Sequence, residues 1–397
     1  MSKNKVLIVG GGFGGVKAAL ELYNLPNFAV TLLSDDNSLR YYPTLYQSAT
    51  GGSRSNSSIP YGTIFAGSNI ELVQGEAVTI DRAKKQVITK TNQTYGYDYL
   101  ILALGVVTNY FGIPGLSEFS YSIKSQAEAA RFKEHLHKQL IDEGKPDLHY
   151  IIVGAGPTGI ELAGALPNYL KHIIKNHGLP NKNISVSLIE AMPRLLPNLP
   201  KPTSRQIKRR LKKLGIKVYL NSKVEGETVD ALTINGQPIK SHTVVWTAGV
   251  TNHPFFANNH FVIMGRGKVG VDAYLQAEPN IFVIGDNANT PFSGMAQTAL
   301  HDGAFVANNL IRAARGEMYK SYVVKKPITV IPAGENWAAV DTGKFRVHGR
   351  IGFLVREAAD LKGFKDLETW SQATKQFFLQ FRSEDGCEVC ALAHARY

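Results

Sequence analysis

Cysteine is almost missing from this chain: its 397 residues hold two, Cys387 and Cys390, both near the C-terminus. A disulfide framework across the body is thereby excluded. No apolar run approaches the roughly 18 residues a spanning helix needs, so none is expected. No leader is expected either, because Met1-Ser2-Lys3-Asn4-Lys5 runs directly into the apolar Val6–Val9, and a cytoplasmic location is the default. Acidic residues are absent between Lys201 and Lys217, where eight basic ones fall, in a chain of net charge +12. That run reads as a solvated helix face, or as an attraction to an anionic surface. No nucleic-acid-binding motif accompanies it, so nucleic acid is not an expected partner.

What is present is ordinary in composition and unusual in arrangement. A chain of 397 residues suggests two or three domains. Val6–Val9 reads as a strand buried on both faces, followed by Gly10-Gly11-Gly12-Phe13-Gly14-Gly15 and a helical segment from Val16. Gly10, Gly12 and Gly15 keep the spacing of a dinucleotide-binding turn: a tight turn, a close approach of pyrophosphate to backbone, and close helix–strand packing, with the helix N-terminus facing the anion. The unit recurs as Tyr150–Val153, then Gly154, Gly156 and Gly159, then a helix from Ile160. Its next strand, Ser185–Ile189, ends at Glu190, an acid suited to an adenosine ribose and repellent to a 2′-phosphate, which predicts NADH over NADPH. In the first unit the carboxylate for a ribose is expected near Ser34 and is either Asp35 or missing, so Ser34 and Asp35 are carried as weak ribose candidates.

Further segments sharpen this. Tyr97–Gly105 and Val244–Val250 resemble the exits from the two nucleotide domains of the two-dinucleotide-domain flavoproteins, and Ile281–Asp286 resembles the late strand whose aspartate holds the FAD ribityl chain. Pro43–Gly51, Thr108–Gly115, Thr158–Gly164 and Met295–Ala299 together resemble the type II NADH dehydrogenases, single-subunit NADH:quinone oxidoreductases. The resemblance runs from residue 5 to about 312, more loosely to about 382. It implies that Gly10, Gly12, Gly15, Thr50, Gly105 and Asp286 hold FAD, with Ala296 and Gln297 beside its ring. It implies that Gly154, Gly156, Gly159, Glu190 and Gly249 hold NADH. Where the family carries a second glutamine, this chain has His301, so Gln297 and His301 are the expected quinone contacts. Glu161, two positions past the last glycine of the second turn, is the candidate for proton transfer or nicotinamide placement; a plain first-turn glutamate favoured by the helix dipole is the other reading. Disulfide and sulfide chemistry of related enzymes needs cysteines in the body, and there are none before Cys387.

The expected fold is α/β: two Rossmann-like dinucleotide-binding domains plus a C-terminal tail domain with an amphipathic helix. Residues 1–112 and 252–313 form a discontinuous FAD domain, 113–251 the NADH domain, and 314–397 a region for membrane association or dimerisation. In the tail, 327–349 reads as short strands and Ile351–Leu361 as a helix. Leu367, Trp370, Thr374, Phe377, Phe378 and Phe381 form a helical apolar stripe, suited to a membrane interface or to a homodimer contact. Cys387, Cys390 and His394 supply at most three soft ligands, so no metal is expected. The function this implies is electron transfer from NADH through FAD to a membrane quinone by a peripheral enzyme on the cytoplasmic face. The alternatives are a soluble reductase of oxygen or a carrier protein, and a redox-signalling flavoprotein.

Overall fold

The computed structural model describes residues 3–141, 148–180 and 184–379. Two parallel sheets organise it. The first has six strands in the order Gln276–Glu278, Ile281–Val283, Tyr99–Leu102, Asn4–Val9, Phe28–Ser34, Glu71–Gln74, parallel except for the Gln276–Glu278 edge. The second has four parallel strands in the order Lys217–Tyr219, Ser185–Ile189, His149–Val153, Thr243–Trp246. In each, the first strand of the unit is central and almost wholly buried, as a continuous apolar run requires. Helices Phe13–Leu22 and Ala296–Ala314 pack together on the first sheet, and Pro157–Asn176 starts from the second.

Each sheet also sends out a three-stranded antiparallel meander before its fourth parallel strand: Ala77–Asp81, Gln86–Thr89 and Thr94–Gly96 in the first, Val224–Glu227, Ala231–Ile234 and Gln237–Lys240 in the second. The chain passes between the two bodies along an antiparallel pair, Val106–Thr108 against Val250–Asn252. The Trp246 indole N–H donates to the Asn109 carbonyl at 2.8 Å beside this crossing.

The basic run lies on helix Lys201–Lys213, which buries Thr203, Ser204, Ile207 and Leu211 and leaves Lys201, Arg205, Arg209, Lys212 and Lys213 in solvent. Arg210 turns instead toward the tail, lying over the Trp337 ring and donating to the Ala333 and Glu335 carbonyls at 3.0 and 2.9 Å.

The tail is not set apart from the rest. Its sheet, Thr329–Pro332, Ala338–Asp341 and Arg346–Gly349, packs on helices Pro157–Asn176 and Lys201–Lys213, while helix Arg350–Lys365 sends Phe364 into the core of the first body, stacked on Tyr41 at 4.4 Å. The single stripe read from Leu367 to Phe381 is interrupted. One helix ends at Lys365 and another begins at Trp370, because Thr369 and Gln372 form a reciprocal capping box: the Gln372 amide oxygen accepts the Thr369 N–H at 3.1 Å, and the Thr369 hydroxyl faces the Gln372 N–H at 3.5 Å. Leu367 is buried while Trp370 and Phe378 are 62% and 68% exposed. Phe381, Cys387, Cys390 and His394 lie outside the described residues.

Candidate functional site

The two glycine turns have the same geometry. Gly10 and Gly154 take φ of +106° and +103°, which only glycine adopts without strain. Gly15 and Gly159 each press against the carbonyl of the first glycine of their turn, so neither has room for a side chain. Gly12 and Gly156 differ: nothing lies within 4 Å of where a Cβ would stand, and both begin helices that have no side-chain cap. Each helix N-terminus therefore opens onto free space with unsatisfied N–H groups, which fits a pyrophosphate.

The strand ends beyond these turns are dissimilar. Glu190 uses both carboxylate oxygens on backbone, accepting from Ala155 N–H and Met192 N–H at 2.8 Å each, so it braces the second turn. In the first unit the Ser34 hydroxyl lies 3.1 Å from the Tyr61 hydroxyl, which donates to the Gly11 carbonyl at 2.9 Å. Asp35 is paired with Arg40 at 3.0 Å. Ser34 is buried against Tyr61, whereas the Asp35 side chain is 64% exposed with one carboxylate oxygen on Arg40, and Tyr61 occupies the space a side chain at Gly11 would take.

Gly285 and Asp286 follow the strand Ile281–Val283, and the turn is anchored by Asn287, which is fully buried. The Asn287 amide donates to the Gly105 carbonyl and the Asn252 side chain, both at 2.6 Å, and accepts the Gly105 N–H at 2.8 Å. Asn287 thereby ties the Asp286 turn to Gly105 and to the returning crossover. Burial raises the Asp286 carboxyl against the pull of Lys268 and Lys124, the latter reaching in from the second body. Thr50 donates its hydroxyl to the Tyr46 carbonyl at 2.9 Å, at the turn beside Gly51. Gly249 is not an open cradle: the Phe111 ring fills the space a side chain would need, held in a left-handed conformation at φ +54°.

Glu161 sits in the first turns of helix Pro157–Asn176, almost wholly buried. Burial pushes its carboxyl up to about 8, outweighing the Arg356 guanidinium 3.5 Å away. That distance is long because Arg356 is committed elsewhere: its Nε donates to Asp360 at 2.6 Å and its Nη2 to the Pro43 carbonyl at 2.6 Å. Tyr46 faces the same cluster, and burial raises its phenol to about 12. Beside it the Gln47 amide oxygen is buried without a partner among the described residues. Arg356, Asp360 and Tyr46 were not singled out from sequence.

Ala296 and Gln297 open the long helix Ala296–Ala314, whose N-cap Met295 makes no side-chain cap, so the first N–H groups face outward as a flavin carbonyl would require. The Gln297 side chain, however, is engaged. It donates to the Ile328 carbonyl at 3.0 Å and accepts the Ile328 N–H at 3.1 Å. His301, one turn on, donates from Nε2 to the Val323 carbonyl at 2.8 Å. Both hold the extended segment 317–328 rather than facing an open acceptor site.

Two unlike cradles for dinucleotides, one on each sheet, joined by an antiparallel crossing with a neutral-leaning acid buried between them, define a scaffold that brings two dinucleotide cofactors together. The chain belongs to the pyridine nucleotide-disulphide oxidoreductase family, whose model matches residues 4–303. A Staphylococcus aureus type II NADH:quinone oxidoreductase is 26% identical over 359 residues, covering 84% of this chain and 88% of its own. Among solved structures, NDH2 from Plasmodium falciparum in complex with NADH superimposes with a TM-score of 0.86 at 19% identity, over 96% of this chain and 98% of that one. The sulfide:quinone oxidoreductase of Aquifex aeolicus gives 0.75 at 19% identity, over 98% of each chain. These last two likenesses carry the fold. The dithiol in the family's name has no counterpart here, since the matched region holds no cysteine.

Proposed function

We propose that this protein oxidises NADH and passes the electrons through FAD to a membrane quinone, without pumping protons. The observation that carries the proposal is Glu161: an acid raised to about 8, buried two residues past the second glycine turn, where the two bodies and the tail meet. Quinone reduction consumes protons, and an acid poised near neutral pH is suited to supply one. The cofactors support the reading, because Gly10, Gly12, Gly15, Gly105 and Asp286, with the backbone of Ala296 and Gln297, offer what FAD needs, and Gly154, Gly156, Gly159 and Glu190 what NADH needs. FAD, when bound, supplies the exchange of a hydride for single electrons or electron pairs. The residues of this chain bind and orient the two rings, keep water away from Glu161, and hold its proton on the carboxyl. The name of the Staphylococcus relative points to the same donor and acceptor.

The domain limits follow the same reading, with an FAD domain of residues 1–112 and 252–313, an NADH domain of 113–251, and the tail as the surface that meets the membrane. No described helix is long and apolar enough to cross a bilayer. Ile351, Leu354, Trp370 and Phe378 are each more than 60% exposed on the tail helices, which suits a face laid on a membrane or on a second copy of the chain.

One observation favours a second reading, a soluble reductase of a different acceptor: Gln297 and His301 are already occupied by segment 317–328. Anaerobic NADH oxidation by the FAD-loaded protein, with and without a short-chain quinone, separates the two. A rise of at least about a hundredfold, worth about 2.7 kcal/mol in the transition state, is expected. Flavin that is bleached by NADH and not reoxidised by quinone would favour the second reading.

A further inference from the structure

We infer that Asp302 and Tyr322 are positioning residues for the Gly285-Asp286 turn, and that segment 317–328 delivers Tyr322 to it. The inference rests on the reading that Asp286 holds the flavin.

Segment 317–328 has no regular secondary structure and runs back along helix Ala296–Ala314, held by polar side chains of that helix, by the Tyr322 N–H donating to the Ala273 carbonyl at 2.7 Å, and by Tyr319 packing on Tyr274 and Phe282. Arg312 pairs with Glu317 at 2.7 Å and donates to the Met318 carbonyl at 2.9 Å. Asn309 exchanges two hydrogen bonds with the Lys320 backbone at 2.9 and 3.0 Å. His301 and Gln297 hold Val323 and Ile328 as described above. Met318 and Val323 are 85% and 70% exposed, and the segment's apolar anchorage comes from Tyr319 and Tyr322, which pack against the first core.

Asp302 stands apart from these contacts in two respects. It is fully buried, and it reaches past its own helix. One carboxylate oxygen accepts the Tyr322 hydroxyl at 2.5 Å, and the other accepts the Gly285 N–H at 3.0 Å. A single carboxylate thus joins the segment to the residue preceding Asp286. The opposite side of that residue is held too: the Ser293 hydroxyl donates to the Gly285 carbonyl at 2.9 Å, and Lys268 donates to Ser293 at 2.9 Å and to the Asp286 carbonyl. Gly285 has a φ of +64°, a conformation that a free turn would leave readily. With its N–H and its carbonyl both fixed, the direction in which the Asp286 side chain leaves the backbone is set before any ligand arrives, and a ligand meets no ordering cost there.

A carboxylate suits this place better than an amide. It offers two acceptor oxygens to donors from two different elements, and bonds to an ionised acceptor are the shorter and stronger kind. Tyr322 is the donor that can be removed with least disturbance, because its ring packs on Phe305 and His301 and would remain as phenylalanine.

The test is release of FAD from the holoenzyme on dilution, followed by recovery of free-flavin fluorescence, for wild type, Tyr322→Phe and Asp302→Asn. Melting of the apo and holo forms and the visible circular dichroism of the bound flavin are measured alongside. Both variants are expected to release FAD at least about fivefold faster, as loss of one hydrogen bond to a charged acceptor implies. The melting gap between holo and apo forms is expected to shrink, with a changed flavin band. Equal lowering of apo and holo melting, with wild-type release and spectrum, would mean that the pair merely holds the segment down and would overturn the inference. Wild-type protein that retains FAD while Tyr322→Phe matches it in release also overturns it, leaving the flavin reading intact. Failure of the wild type to bind FAD at all would remove that reading and this inference with it.

Discussion

Replacing Glu161 by glutamine asks whether a buried acid, kept neutral by its surroundings, moves a proton. Folding carries this carboxyl from 4.5 up to about 8, because burial outweighs the attraction of Arg356. The folded state then keeps a proton that the unfolded chain gives up between those values. The group's contribution to stability is therefore fully present below about pH 4.5 and is lost as pH rises through about 8. Glutamine has the same shape and does not titrate. Between pH 5.5 and 8.5 the difference in unfolding free energy between variant and wild type should move in the variant's favour by roughly 3 kcal/mol. The difference is the quantity to follow, since burial also raises Glu227, Glu368 and Asp302, and the wild-type curve contains them all. Urea titrations at four or five pH values measure it. In the same protein, quinone-dependent turnover at pH 7 should fall at least about a hundredfold, as for a lost general acid, while reduction of the flavin by NADH persists. Parallel stability curves for variant and wild type would mean that Glu161 is already ionised against Arg356. Unchanged turnover with an unchanged pH profile would remove the proton role altogether.

Three further outcomes are expected. Arg356→Met strips the cation from two buried carboxyls and should cost roughly 3–5 kcal/mol of stability in urea titration, while raising the pKa of Glu161 beyond its present value. Gly164→Ala would drive a methyl into the backbone at Ala333 and Gly334, where helix Pro157–Asn176 meets the tail sheet, and should cost roughly 1–3 kcal/mol, read by calorimetry. Glu190→Ala frees the Ala155 and Met192 N–H groups and should raise KM for NADH by roughly tenfold with kcat largely kept, and narrow the preference over NADPH in steady-state kinetics.

The parts of the fold that were legible in the sequence are those fixed by local backbone geometry. The two glycine turns could be located because a strand, a left-handed glycine and a helix start must follow one another at set spacing, and Gly10 and Gly154 do adopt nearly equal φ. The residues that complete the site were not legible, because what places them is distant in the chain. Nothing near Ser34 in the chain marks Tyr61, which reaches both the Ser34 hydroxyl and the Gly11 carbonyl. Asn287 looked like one more residue after Asp286, although it ties that turn to Gly105 and Asn252. Arg356 stood in a helix with no motif to mark it, and only packing brings it to Glu161. The tail shows a different kind of miss. Apolar spacing alone ran one stripe from Leu367 through Phe381, yet Thr369 and Gln372 carry a legible capping signal that restarts the helix at Trp370 and turns Leu367 inward. Periodicity reports which face is apolar and says nothing of where a helix begins.

The position of Arg356 gives the tail a role beyond that of an appendage. Its guanidinium holds the Pro43 carbonyl on the first body, Asp360 on its own helix and Glu161 on the second body. A cluster of apolar side chains would hold three segments together at least as firmly, since ion pairs removed from water gain little net stability. What an apolar cluster would not do is draw the pKa of Glu161 back down toward neutrality. Arg356 is divided among three acceptors, and its share for Glu161 is small enough that burial wins and the carboxyl stays protonated near neutral pH. A closer, undivided pairing would ionise Glu161 and leave it no proton to give. The tail helix is thus placed where any shift of it would change the distance from Arg356 to Glu161 and with it the pH at which that proton is held.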